Sequence, residues 1–266
     1  MLRNLLYNCC PILGSEQTTR DNIACLCKYP NTFNHKKIIN VKIGIDCEAP
    51  EFIKPLFTLL NPVEFRLYPN NPALGETIGF IEGFEALYSL NPDEITYYAH
   101  TKGVSPGRRV PSQVYQECQR QWRNRMYYEC LSRPEKIDLI MRNHAACGCW
   151  LRHTPAHLPA WFAGAFFWVN HAKLFMHPGW KNTTNLGTAE FGPQYLAEKY
   201  VGELFIEKDM CDLYSTDIRF YYEALATFNC KKCGIFDLVV EKTSNEIQCP
   251  KCGGGDVTFV SFPEMF

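Results

Sequence analysis

His100-Thr101-Lys102-Gly103 closes the apolar run Glu94-Ile95-Thr96-Tyr97-Tyr98-Ala99 and leads into Val104-Ser105-Pro106-Gly107-Arg108-Arg109. A β-rich segment here delivers polar and cationic side chains into a glycine-punctuated loop. In an open α/β sheet, ligands bind outside the carboxyl ends of the strands. Gly103 and Gly107 let backbone approach a ligand closely, and Lys102, Arg108 and Arg109 bring positive charge to the same place. The combination suits an anion such as a nucleotide diphosphate. It also suits an ordinary βα turn with solvated cations.

A second chemistry stands near the end of the chain. Cys230-Lys231-Lys232-Cys233 and Cys249-Pro250-Lys251-Cys252 are two C-x2-C pairs separated by fifteen residues. Each pair can place two thiolates on one tetrahedral cation, and the spacer fits a small hairpin, so the pattern predicts a zinc ribbon with structural Zn2+. Four thiolates close the coordination shell and leave no open position for catalysis. A segment of roughly 35 residues buries too little surface to fold unaided, and the metal supplies the missing stability. His144, Cys147, Cys149, His153 and His157 form a looser group. Their spacing is irregular, which favours buried thiols and separately satisfied histidines over a second metal site.

The elements that must position these residues alternate. Strands are expected over 5–13, 37–45, 63–68, 94–100 and 146–151, and a buried strand or strand–helix corner over 161–170. Helices are expected over 17–28, 50–60, 76–90, 112–131, 135–143 and 194–206. The clearest is 112–131, where Val114, Cys118, Trp122, Met126 and Cys130 recur every four residues and Ser112 can cap the start. Residues 214–226 form a last element before the composition shifts at Phe228. This order predicts an α/β fold with a mainly parallel sheet and helices on both faces, residues 1–226, followed by a small β-hairpin zinc module, residues 227–266.

Composition bounds the function. The chain has 266 residues, 46% hydrophobic and 21% charged, with a net charge of −1. It is globular and lacks the basic footprint of a general nucleic-acid binder. Charges and prolines interrupt every apolar stretch before the roughly 20 residues of a membrane span. Asn4 and Asn8 break the first apolar stretch too early for a signal peptide, so the expected compartment is the cytoplasm. There the ten cysteines outside the paired motifs read as small buried hydrophobes.

Several segments together resemble a family of glycosyltransferases found in surface-polysaccharide loci, of the rhamnan-synthesis type. They are Tyr98-Ala99-His100-Thr101-Lys102-Gly103-Val104-Ser105, Trp122, Gly148-Cys149, Phe162-Ala163-Gly164-Ala165-Phe166-Phe167-Trp168 and Ala197-Glu198-Lys199-Tyr200-Val201-Gly202, with Arg3-Asn4-Leu5-Leu6-Tyr7 and Gly75-Glu76-Thr77 in support. The resemblance covers residues 1–222 and excludes the ribbon. It implies a GT-A-like domain that takes a nucleotide-sugar donor and a glycan or lipid-linked acceptor. It implies catalytic roles for His100, Lys102 and Glu198, the last as general base at the family's acidic position, and substrate contacts at Thr101, Gly103, Arg108, Arg109, Gly164 and Trp168. The chain departs from the family at Ala165, where an Asn is usual, and at Phe167, where a Trp is usual. Such enzymes commonly hold Mg2+ or Mn2+ through an Asp-x-Asp at the fourth strand. No such pair stands here, which favours cationic side chains in the metal's place; Asp46 and Glu48 are the only nearby acidic alternative. The competing expectation is a zinc-ribbon module that binds nucleic acid or protein, carried on a catalytically inactive scaffold of the same fold.

Overall fold

The computed structural model describes residues 1–44, 46–71, 77–101, 113–152, 160–182, 196–215, 223–241 and 247–261. Contacts divide the chain into two units. The first comprises Met1–Pro106 and Met126–Ser215, the second Gly107–Arg125 and Thr216–Phe266.

The first unit is built on a seven-stranded sheet. Its elements are β1 (Leu2–Cys9), α1 (Glu16–Cys27), β2 (Lys37–Ile43), α2 (Pro50–Ile53), β3 (Glu64–Pro69), α3 (Phe80–Ala86) and β4 (Glu94–His100), then the part of α4 (Gln113–Leu131) from Met126 on, α5 (Pro134–Met141), β5 (Ala146–Cys149), β6 (Leu151–Arg152), β7 (Trp161–Phe162), β8 (Phe167–Asn170), α6 (His171–Met176), α7 (Leu196–Leu204) and β9 (Met210–Tyr214). The strand order is β3-β2-β1-β4-β8-β5-β9, with β6 and β7 paired separately. Every neighbouring pair in the main sheet is parallel except the two made by β8, which runs against β4 and β5. The expected mixed α/β class and mainly parallel sheet are therefore present.

Helices cover both faces, so the central strands are apolar on both sides. On one face Tyr7 meets Phe57 edge-on at 5.8 Å, and Trp168 packs against Phe33 at 6.0 Å and Tyr97 at 5.2 Å. On the other, Phe80 of α3 packs edge-on against Tyr98 of β4 at 4.7 Å and Tyr200 of α7 at 4.8 Å. At the amino end of β4, Glu94 accepts from Asn4 Nδ2 at 2.8 Å, and the fully buried His171 lies with Nε2 2.5 Å from Thr96 Oγ1 and Nδ1 3.5 Å from Glu94.

Several expected boundaries move for local reasons. The first strand ends at Cys9 and not at residue 13, because Pro11 has no N–H for a ladder. Pro55 likewise breaks the expected helix 50–60 into α2 and a 3-10 segment, Lys54–Leu60. The aromatic run 161–170 is a strand, a corner at Gly164 and Ala165, and a second strand. A short helix, α6, follows it, its first turn capped by Asn170, which accepts from the Lys173 N–H.

The second unit holds an antiparallel three-stranded sheet of β10 (Glu223–Cys230), β11 (Gly234–Glu241) and β12 (Val257–Ser261), with β10 in the centre. Its core gathers Ala226, Phe228, Cys230, Phe236, Val240 and Cys249 with Cys118 from the first half of α4. Gln121 of the same helix segment donates from its carboxamide to the Leu225 carbonyl at 2.8 Å and accepts from the Leu225 N–H at 2.9 Å. A side-chain amide thus pairs with a backbone position of β10 as a neighbouring strand would. The division between the units falls inside α4, between Arg125 and Met126.

Candidate functional site

The sheet changes direction at β1. Strands β2 and β3 build outward on one side of it, and β4 returns to the other. The carboxyl ends of β1 and β4 therefore flank a topological switch point, where open α/β sheets leave a crevice. His100 ends β4 opposite Asn8 in the parallel register. Thr101 follows it and binds the end of β1 twice, accepting from the Cys10 N–H at 2.8 Å and donating to the Cys10 carbonyl at 3.3 Å.

Gly164 comes to this place from the corner between β7 and β8. His100 Nε2 is 3.0 Å from the Gly164 carbonyl, and the Gly164 N–H donates to Glu198 Oε1 at 3.2 Å. His100 and Glu198 thus hold opposite peptide groups of one residue. The corner turns through positive φ, +95° at Gly164 and +57° at Ala165, the left-handed region that favours glycine. Glu198 reaches the corner because α7 packs tightly beside it: Ala197, Tyr200 and Val201 are fully buried, and a β-carbon at Gly202 would collide with the Ala160 carbonyl.

The structure thus brings together four of the expected site residues, His100, Thr101, Gly164 and Glu198. Lys102, Gly103, Arg108 and Arg109 lie outside the described residues, as do His153 and His157. Trp168 corrects the expectation of a substrate contact. It is fully buried, its Nε1 donates to the Cys130 carbonyl at 2.9 Å, and its ring packs against both Phe33 and Tyr97. Phe162, Phe166 and Phe167 of the same motif are also core residues. Asp46 and Glu48 do not form an acid pair. Asp46 is exposed, and the Glu48 carboxyl is engaged by Glu16, a contact that raises its pKa.

A polar row that the sequence reading passed over continues from this point across β1 and β2. Asn8 Nδ2 donates to the Tyr98 hydroxyl at 3.2 Å, and Asn40 Nδ2 donates to Asn8 Oδ1 at 2.8 Å and to the Gly79 carbonyl at 2.7 Å. Lys42, fully buried, donates to the Ile78 carbonyl and lies 5.3 Å from the centre of the Tyr68 ring. Asn40 Oδ1 is buried with no hydrogen-bond partner among the described residues. The signal was present: Asn8, Asn40 and Lys42 occupy alternate positions in strands too central to have a wet face.

The second candidate is a metal centre. The thiols of Cys230, Cys233, Cys249 and Cys252 all lie within 4.8 Å of one another. Cys230 and Cys249 are buried, and Cys233 and Cys252 are half-buried. Burial works to raise the Cys249 thiol, but the N–H groups of Lys251 and Cys252 together with the Cys230 and Cys252 thiols bring it down to about 7. Four convergent sulfurs, one already eased toward thiolate, fit a soft or borderline divalent cation. The cluster can hold a metal ion. By contrast Cys147 and Cys149 are buried thiols with raised pKa values, chiefly from burial, and His144 Nδ1 contacts the Ile140 carbonyl of its own helix end.

Among the described residues no helix is long and apolar enough to cross a membrane. No protein-family model matches this chain. Comparison with curated proteins gives no match either.

Proposed function

We propose that the chain is a glycosyltransferase of GT-A-like architecture, moving a sugar from a nucleotide-sugar donor to a hydroxyl of a glycan or lipid-linked acceptor. The observation that carries this reading is the convergence of His100, Thr101, Gly164 and Glu198 at the switch point between β1 and β4. Crevices of this kind take nucleotides in many α/β folds. Lys102 follows Thr101 directly in the sequence, with Arg108 and Arg109 a few residues on, a supply of positive charge that suits a donor diphosphate.

The roles follow from the chemistry. Charge builds on the departing nucleotide in the transition state, and a fixed cation aimed at it lowers the barrier. Lys102 takes that role, in a chain with no paired aspartates at the end of β4. Glu198 takes the acceptor proton as general base. His100 orients the Gly164 corner against which the donor sugar lies. The cysteine cluster holds Zn2+ structurally, since four thiolates leave no position for substrate. A reducing, cytoplasmic setting fits the ten further cysteines of the sequence read as small apolar residues.

A panel of nucleotide sugars tests the reading. One donor is expected to raise the thermal midpoint by mass action and to be turned over. Lys102→Ala is expected to lower transfer by ~10²-fold, and EDTA to leave initial transfer intact. A strict requirement for added Mg2+ or Mn2+ would overturn the metal-free leaving-group role. Donor binding without turnover would move the reading to an inactive scaffold whose ribbon serves as a binding module.

A further inference from the structure

We propose that the outer edge of β3 pairs with the same edge of a second copy of this chain, antiparallel and with Phe65 opposite Phe65, so that two seven-stranded sheets join into one. β3 ends the strand order, and among the described residues no strand lies on its far side. The proposal stands apart from the glycosyltransferase reading and uses none of its residues.

The register with β2 fixes which peptide groups face outward. The Asn70 N–H donates to the Ile43 carbonyl at 2.7 Å. In a parallel ladder every second residue of a strand turns both its N–H and its carbonyl to the same neighbour. Tyr68, Arg66 and Glu64 therefore face β2, and Phe65 and Leu67 face away from it. Pro69 falls in the outward set, where its missing N–H costs the β2 ladder nothing. Side chains alternate across the strand as well. Tyr68 and Arg66 lie on the α3 side: a β-carbon at Gly79 would meet the Tyr68 ring, and Arg66 Nη1 donates to the Glu82 carbonyl at 3.2 Å. Phe65 lies on the other side, edge-on to Phe57 at 5.9 Å. Leu67, on the side of Phe65, is 47% exposed.

Charge and proline select one register. With Arg66 opposite Arg66, like charges face each other at the closer, non-hydrogen-bonded spacing, which is destabilising. With Leu67 opposite Leu67, Pro69 meets Phe65 of the other copy and leaves its carbonyl without a donor. With Phe65 opposite Phe65, Glu64 of each copy faces Arg66 of the other. The Phe65 pair then exchanges both of its N–H···O bonds, and Leu67 meets Val63 in the same way on either side. One face of the joined strands carries the apolar row Val63, Phe65 and Leu67 against its copy. The other carries Glu64 and Arg66 of both copies. These two already touch within one chain, at 2.7 Å, with side chains 56% and 29% exposed, so the second copy extends an existing ion pair into a network. Lys54, whose ammonium lies 6.0 Å from the centre of the Phe65 ring, has a flexible four-carbon stem that lets its charge turn to solvent.

Sedimentation equilibrium of the full chain in reducing buffer, from about 5 to about 500 µM, tests the pairing. The surface is a single strand edge, so the wild type is expected to dimerise weakly and reversibly, with a dissociation constant on the order of 100 µM. Glu64→Arg sets like charge against Arg66, and Arg66→Glu sets like charge against Glu64. Each alone is expected to weaken the dimer at least about ten-fold. Mixed in equal amounts, the two variants are expected to form a heterodimer at least as tight as the wild-type dimer, because every charge again meets its opposite. The double exchange Glu64→Arg with Arg66→Glu should restore self-association for the same reason, and recovery in the mixture and the double exchange shows that the single variants are folded. A wild type that stays monomeric at the highest concentration overturns the proposal, and the charges and Pro69 then serve only to keep this edge from pairing. A dimer that none of the exchanges alters lies elsewhere on the surface and overturns it equally. Loss of the dimer in both single variants with recovery in neither the mixture nor the double exchange removes the charge-selected register, and the proposal with it.

Discussion

Gly164 is gripped at both of its peptide groups, by His100 at the carbonyl and Glu198 at the N–H. The side chains most suited to proton transfer are therefore also the ones that fix the corner between β7 and β8. At the other end of β4, His171 shows what burial does to an imidazole. It is held down to about 4, mainly by burial, with Glu94 pulling upward and Lys36 and His35 adding to the depression. The unfolded imidazole takes its proton near 6.5, and the native one does so only near 4. The stability linked to this group is therefore intact above pH 6.5 and is lost as pH falls from 6.5 toward 4, on the order of 2–3 kcal/mol. Urea unfolding between pH 7.5 and 4.5 checks this. The wild-type midpoint should fall more steeply than that of His171→Gln, and parallel curves would exclude the assignment. Cysteines 147 and 149 were legible as buried thiols from their apolar setting.

Element by element, the match between sequence and structure is best where a segment's own pattern decides. The strand expected over 94–100 is β4, and the four-residue recurrence of apolar groups in 112–131 is α4. The aromatic motif 162–168 was informative for a different reason than expected: its rings fill the core, and its glycine makes the turn. The 197–202 motif is explained in the same terms. Alternate sides of α7 are committed, one to Tyr200 in the core and one to Glu198 at Gly164, and Gly202 lets the helix approach Ala160. Gly202→Ala is therefore expected to push α7 off this contact and to cost about 1–3 kcal/mol, as overpacking does. Chemical denaturation measures it, with Gly255→Ala, where a β-carbon meets open space, as the comparison. A cost at Gly202 no larger than that at Gly255 would mean that α7 accommodates the methyl group.

On the scale of the whole molecule, the two units differ in what holds them together. The first has a sheet covered on both faces. The second relies on a small core that includes the four-cysteine cluster and the first half of α4. If the cluster holds zinc as proposed, loss of the metal should therefore be felt in the first half of α4 as well as in β10–β12. With Cys249→Ser we expect zinc content to fall from one per chain toward none, and amide exchange to quicken in 113–125 and 225–240 while β1 and β4 keep their protection. Elemental analysis and exchange mapping check both parts, and a metal-free variant with unchanged exchange in the second unit would show that its core suffices alone. The α/β class, the mainly parallel sheet and the four convergent cysteines were determined by the sequence itself, because alternation, helical recurrence and C-x2-C spacing act over a few residues. Tertiary structure alone decided that His100 and Glu198 meet at Gly164, that Asn40 joins Asn8 to the Gly79 carbonyl while Lys42 reaches that of Ile78, and that Gln121 completes a strand edge at Leu225. Each of these joins residues separated by many positions in the chain, and which of them meet depends on the strand order and on the close approach of backbone to backbone, quantities that no local pattern encodes.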